Sequence, residues 1–396
     1  MVKIIRKVKP KLKVIIGGPH CTLFPKKSLE ETGADVSVQG DGELIITDIK
    51  KAITGEIAFS NIPGIYYREK NKIKKGKELK LSKDLDILSF PSRHLVLKYN
   101  YGSQLNPKIK SGDFTAIITS RGCPYACKFC SRTSISIKKY RARSTKNVLK
   151  ELKEIQANGY KYVAFVDDSF LSNKKQAHGL LDEIIKEKLN LKFIITAARV
   201  DIAEKELFQK MKEAGVTHIQ YGLESGNQDV LDFYNKNITL EKIRYTVNLS
   251  DEMGFFNVGS FILGAPFETK EHFERTISFA KSLPLDSVGF TTLKYMVGSE
   301  LWCNAVNDGK IPEDDYLVLA ESKKNLGLFT EQEIAQYCVK ARREYYTRPA
   351  FIMRLLIKSL KNDDFGLIRS YLSLFFSDIL DGLRYLGISR KEKSES

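Results

Sequence analysis

The sequence predicts an α/β fold: an open, partial (β/α)6 barrel over residues 113–300, preceded by a truncated Rossmann-like segment and followed by a helical C-terminal region. Three observations lead there. Six short apolar stretches alternate with amphipathic ones between Asp113 and Tyr295. Those stretches are nearly continuous in apolar character, as parallel strands covered on both faces by helices are. An eight-unit barrel would need more chain before Trp302 than is present.

Residues 1–60 read as the second half of a doubly wound domain. KVIIGGPH is a short strand ending in the pair Gly17 and Gly18; SLEETGADVSVQGDGE gives a helix, a strand and a second glycine turn, and TDIKKAI a further helix. Residues 61–112 form a linker, with the lysine-rich run Lys70–Lys80 as an exposed hairpin or loop ending near LSFPSRH. From Asp113 the alternation is regular. Strands FTAIITS, YVAFVDD, FIITAARVD, HIQYGLE, FNVGSFILGAP and SVGFTTLKYM are separated by helical segments that begin with Ser/Thr signals or stop at glycine. Residues 301–396 are helical; REYYTRPAFIMRLLIKSL and FGLIRSYLSLFFSDILDGLRYL are basic or aromatic and amphipathic, fit to pack on the barrel or to rest on a membrane surface.

Net charge of +16 and a pI near 9.3 would suit RNA or an anionic membrane. The lysines are scattered without interleaved aromatics, which favours a solubilising surface over a base-stacking platform. No apolar run approaches the roughly 20 residues that cross a bilayer, and MVKIIRKVKPKLKV has charges where a signal peptide is apolar. A cytoplasmic location is therefore expected, where thiols stay reduced and clustered cysteines point to metal binding or catalysis.

Half of the six cysteines, Cys123, Cys127 and Cys130, lie in RGCPYACKFC. Their spacing would put them on one face of a helix, but Gly122 and Pro124 favour a loop off the end of the first barrel strand. Structural zinc wants four protein ligands and catalytic zinc usually a histidine, and neither lies nearby in sequence. Cys21, Cys303 and Cys338 are isolated and read as small apolar residues; the five histidines form no cluster, although His20 sits beside the glycine pair. A cubane of four irons takes one thiolate per iron, so three cysteines leave one iron open to a cosubstrate.

Cys-x-x-x-Cys-x-x-Cys, with Phe129 before the last cysteine, after the first strand of a partial barrel, resembles the signature of the radical S-adenosylmethionine (SAM) superfamily. The resemblance implies a [4Fe–4S] cluster on Cys123, Cys127 and Cys130, with SAM chelated to the open iron and cleaved reductively to a 5'-deoxyadenosyl radical. It places Phe129 near the adenine. Asp168, with Asp167 before it, stands where relatives bind the methionine amino group; an N-cap for the next helix is the other reading of either. Arg199 would meet the methionine carboxylate, unless it forms a surface ion pair with Asp201. Glu224 would hold the ribose, and Gly264, Ala265 and Pro266 would let adenine approach the backbone.

More narrowly, the chain resembles the radical SAM enzymes with an N-terminal cobalamin-binding domain, in which Gly17, Gly18 and Pro19 would wrap the nucleotide tail of cobalamin. Two departures follow. The chain has no Asp-x-His-x-x-Gly motif to ligate cobalt, which reads as a fragment of a longer enzyme or as loss of cobalamin. After the sixth strand it has YMVGSEL where the family often has Pro-x-Pro-Gly-Thr. The expected activity is methylation, cyclisation or a similar radical change on a small-molecule or lipid-like substrate, fed by an electron donor such as ferredoxin or flavodoxin. The competing expectations are a tRNA methylthiotransferase-like enzyme and a non-catalytic iron–sulfur or zinc protein.

Overall fold

A computed structural model describes residues 1–70, 72–99, 109 and 112–361, and the chain divides into two compact units. The first comprises Met1–Phe90, Ser120–Pro124 and Ser131–Ser144; the second comprises Pro91–Thr119, Tyr125–Cys130 and the chain from Thr145 onward.

The first unit is built on a four-stranded sheet in the order β1 (Ile15–Ile16), β2 (Val36–Val38), β3 (Ile65–Glu69), β4 (Lys72–Lys75). β1 and β2 are parallel, as a doubly wound segment requires, while β3 and β4 are antiparallel. Helix Ile46–Thr54 covers this sheet by burying Ile49 and Ala52 beside Val36, Val38, Ile65 and Tyr67. Here the structure differs from the sequence expectation of a boundary after residue 60. The lysine-rich stretch is a hairpin, but its first strand pairs with β2, Val38 against Ile65, so it completes the sheet. Periodicity reveals a hairpin and is silent on what its edge pairs with.

The second unit carries six parallel strands that lie side by side in sequence order: β5 (Phe114–Ile117), β6 (Tyr162–Phe165), β7 (Lys192–Ala198), β8 (Val216–Glu224), β9 (Phe256–Leu263) and β10 (Ser287–Thr292). All five pairings are parallel, with helices Thr145–Ala157, Lys174–Lys186, Lys205–Glu213, Leu240–Glu252 and Lys270–Ser282 as the crossovers. Val163, Phe165, Phe193, Ile195, Ile219 and Phe261 are fully buried, which is why these strands read as continuous apolar runs. Gly159, Gly215 and Gly254 end their helices with positive φ, the left-handed conformation that costs glycine nothing.

Of the C-terminal helices, Glu331–Tyr346 packs on the last strand. Its Tyr345 hydroxyl donates to Leu285 O at 2.7 Å and its Tyr346 hydroxyl to Val288 O at 2.9 Å. Pro349–Lys361 is tied by Arg354 and Lys358 to Asp251 and Asp286, and leaves Ile352, Met353, Leu356, Ile357 and Leu360 exposed. The segment FGLIRSYLSLFFSDILDGLRYL lies outside the described residues. No helix among the described residues is long and apolar enough to cross a membrane.

Candidate active site

Because the six strands are parallel, their carboxyl ends share one rim, and the segments that follow them converge there. The cysteine stretch follows β5 in non-helical backbone, so the thiols do not line a helix face. Gly122, at φ +89°, is required: a Cβ there would stand 2.2 Å from Lys139 O. Cys123 belongs to the first unit; Cys127 and Cys130 belong to the barrel unit, where Cys130 N donates to Cys127 O at 3.0 Å.

Within the barrel unit the loop is fixed by the turn Phe233–Asn237. Lys128 N donates to Tyr234 O at 3.0 Å, the Asn235 side chain donates to Ala126 O at 2.9 Å, and the Phe129 ring meets that of Tyr234 edge-on at 5.1 Å. On the other side Leu301 N donates to Lys128 O at 3.0 Å. The loop is therefore pinned through its backbone.

Asp167 and Asp168 follow β6 and have separate environments. Asp167 is buried and accepts from Thr119 N at 3.0 Å and Thr119 Oγ1 at 2.8 Å, which clamps the end of β6 to that of β5. Asp168 is half-buried. Neither caps the next helix; Asn173 does, accepting from Gln176 N at 3.2 Å, so the capping alternative is corrected.

Arg199 follows β7. It does pair with Asp201, Nε to Oδ1 at 3.0 Å, but only Asp201, with its side chain 30% exposed, reaches the surface, whereas the Arg199 side chain is 8% exposed. Its Nη2 also donates to Lys236 O at 2.6 Å, Nη1 lies 3.9 Å from Cys127 Sγ, and the guanidinium stacks 3.7 Å from the Tyr125 ring centroid. Burial disfavours its charge, yet Asp201 and then Cys127 and Tyr125 outweigh this and hold its pKa above the ordinary value.

Glu224 closes β8 at φ +63°, a strained conformation for a non-glycine residue, beside a break in register with β9. Its Oε1 accepts from Lys236 Nζ at 2.6 Å and both side chains are buried. Gly264, after β9, has φ +108°; a Cβ would stand 2.9 Å from Ile334 Cδ1 and 3.4 Å from Ala320 Cβ, so packing of the C-terminal region already needs glycine there. The amides of Gly264 and Ala265 both donate to Glu268 Oε2 at 2.7 Å, and Pro266 is half-buried. In the first unit, Gly18 (φ +101°) leads into the short helix Pro19–Leu23, with open space where a Cβ would project, and Gly17 faces Val38.

The sequence reading missed Glu268 and Lys236. Burial pushes Glu268 up to about 7 against the pull of the Ala265 and Gly264 amides, and Asp229 adds to the rise. Its Oε1 and the Tyr234 hydroxyl are buried with no hydrogen-bond partner among the described residues. Glu268 lies four positions after Gly264, a tight-turn spacing that sequence could have flagged; Lys236 carried no such signal.

The donor set suits an iron–sulfur cluster. None of the six cysteines is in a disulfide, and Cys123, Cys127 and Cys130 are partly accessible. Among the described residues no three His, Cys, Asp or Glu side chains converge on a single ion, and a cubane, taking one thiolate per iron, needs no such convergence.

A six-stranded parallel barrel with this loop at its rim defines a class, the iron–sulfur enzymes built on a partial barrel. The radical SAM superfamily model matches residues 117–280. An uncharacterised methyltransferase of Pyrococcus horikoshii is 30% identical over 377 residues, 93% of this chain and 81% of that protein. Cytidylyl-2-hydroxyethylphosphonate methyltransferase of Streptomyces wedmorensis is 25% identical over 391 residues, 88% of this chain and 72% of that protein. Among solved structures, the radical SAM methyltransferase TsrM of Kitasatospora setae with cobalamin and a [4Fe–4S] cluster bound superposes with a TM-score of 0.65 at 19% identity, over 78% of this chain and 60% of that one. The chain belongs to the radical SAM superfamily, whose cofactors are a [4Fe–4S] cluster and SAM.

Proposed function

We propose that this protein methylates, or otherwise modifies by radical chemistry, a small organic molecule, with Cys123, Cys127 and Cys130 as the cluster ligands. The observation that carries the reading is the cysteine loop pinned at the carboxyl end of β5, on the rim shared by all six strands. The bound cluster supplies the electron that splits the sulfonium of SAM. The chain's own residues bind and orient. Asp168, half-buried and acceptor-only when ionised, suits the methionine ammonium. Glu224, held in place by Lys236, presents a carboxylate to the ribose hydroxyls. The Gly264–Pro266 turn, its amides gathered by Glu268, would give the adenine a fixed backbone edge, and Phe129 on the cysteine loop would lie near its ring. Gly18, next to Gly17 after β1, has open space where a Cβ would project and would leave backbone open to the nucleotide tail of cobalamin.

Methyl transfer is favoured over ring closure because two relatives that span most of the chain are named methyltransferases. A one-electron donor of the ferredoxin or flavodoxin type would reduce the cluster. The test is anaerobic reconstitution with iron, sulfide and SAM, followed by reduction. About four irons per chain, with 5'-deoxyadenosine or S-adenosylhomocysteine released from SAM, supports the proposal. Stoichiometric zinc and no SAM-derived product overturns it.

A further inference from the structure

Arg199 has five N–H donors in a planar fork. Nε and Nη2 are taken by Asp201, at 3.0 and 3.1 Å, and Nη2 also by Lys236 O at 2.6 Å. Nη1 has Cys127 Sγ at 3.9 Å, and the face of the fork is covered by Tyr125 at 3.7 Å. The side chain is buried, and its anchor is shared with the loop it touches. The turn that offers Lys236 O also binds Ala126 O through Asn235 and Lys128 N through Tyr234 O. The guanidinium thus has little freedom to leave the sulfur. A fixed cation beside a cluster thiolate stabilises the more negative, reduced cluster, and N–H···S contacts are among the means by which proteins set cluster potentials.

We infer that Arg199 is the positioning and electrostatic partner of the Cys127 thiolate, raising the reduction potential of the cluster, and that it does not receive the SAM carboxylate. The inference rests on the proposed ligation by Cys127. It departs from the role that family resemblance gives Arg199, and the reason is geometric: Nε and Nη2, the side a carboxylate would grip in bidentate fashion, already hold Asp201 and Lys236 O, and Nη1 lies toward the Cys127 sulfur.

The experiment compares wild type, R199Q and R199K, each the full chain reconstituted anaerobically. The measurements are iron content, cluster midpoint potential by EPR-monitored titration, and SAM affinity by equilibrium dialysis with SAM itself. In R199Q the iron content holds and SAM affinity stays within about twofold. Its midpoint moves negative by about 59 mV or more, a tenfold change in a one-electron equilibrium. R199K, which keeps the charge but not the fork, shifts less. Should R199Q fold without taking up iron while R199K takes it up, the requirement for a cation at the thiolate is supported directly. An unchanged midpoint with SAM affinity lost in R199Q overturns the inference while leaving the cluster reading intact. A wild-type chain that binds no iron overturns both.

Discussion

Asp41 accepts hydrogen bonds from both Arg121, at 2.6 Å, and Arg141, and these two arginines lie on the paired strand segments Ser120–Arg121 and Arg141–Ala142 that bracket the cysteine stretch in sequence. Glu43 takes the other arm of Arg121 at 2.5 Å. A loop of the Rossmann-like unit therefore fixes the residue two positions before Cys123. Asp41→Ala is expected to cost about 2 kcal/mol, because it takes the shared carboxylate from two half-buried guanidinium groups and leaves Arg121 with Glu43 and Arg141 with Ser82 O, and to lower the iron retained after reconstitution. Urea denaturation with iron analysis measures both. The Asp41 carboxyl is opposed by burial but held below its usual range of 3.8 by Arg141 and Arg121. Its contribution is thus complete above about pH 4 and disappears as pH falls further.

Glu268 has the opposite linkage. Its pKa is near 4.5 when exposed and is pushed up to about 7 in the fold, so between those values the folded state keeps a proton that the unfolded state has released. Stability should therefore decline as pH rises from 5 to 7.5, by up to about 3 kcal/mol from this group. Glu268→Gln, which keeps an acceptor for the Gly264 and Ala265 amides, should flatten that part of the profile. Thermal or urea melts across the interval decide it.

Cys127→Ala should abolish the charge-transfer absorbance of the reconstituted cluster and all cleavage of SAM. An unaltered spectrum would refute the ligand assignment. Cys303→Ala, at an exposed cysteine away from the loop in sequence, should leave the spectrum as it is.

Lys236→Met leaves Glu224 buried without its cation, at a cost of about 3–5 kcal/mol. Glu224→Gly relieves the positive φ but strands the buried Lys236 ammonium, so the gain is outweighed and the melting temperature should fall as well. Glu224→Gln, which keeps an acceptor for Lys236 Nζ, should weaken SAM binding with a smaller loss of stability than either.

Gly264→Ala should destabilise the chain by about 1–3 kcal/mol, since φ +108° and the Ile334 side chain at 2.9 Å both oppose a Cβ. The size of the loss is read from denaturation midpoints.

The barrel was legible because its evidence is local. Phe193, Ile194 and Ile195 are buried in a strand covered on both faces, so the sequence there is apolar without alternation. Gly122 and Pro124 likewise argue against a helix from local sequence alone. Partner choice was not legible. Arg199 reads in sequence as a partner of the methionine carboxylate or of Asp201 two residues on, but its contact with Cys127 spans 72 positions. Asp41 and Arg121 are 80 positions apart, and nothing in the run QGDGE signals a bond to an arginine of the cysteine loop. Asp167 and Asp168 are adjacent, and only burial separates the strand clamp from the accessible carboxylate.

By itself the sequence determined the order of strands and helices, the loop that carries the thiols and the family to which the chain belongs, because periodicity, turn chemistry and ligand spacing are written over a few consecutive residues. The tertiary structure alone decided which charges are spent inside the protein. It committed Arg199 to Cys127 and Asp201, Asp41 to two arginines, and Glu268 to the backbone of its own turn. The physical reason is that a side chain's role at the rim depends on burial and on partners brought in from distant parts of the chain, which no local pattern encodes.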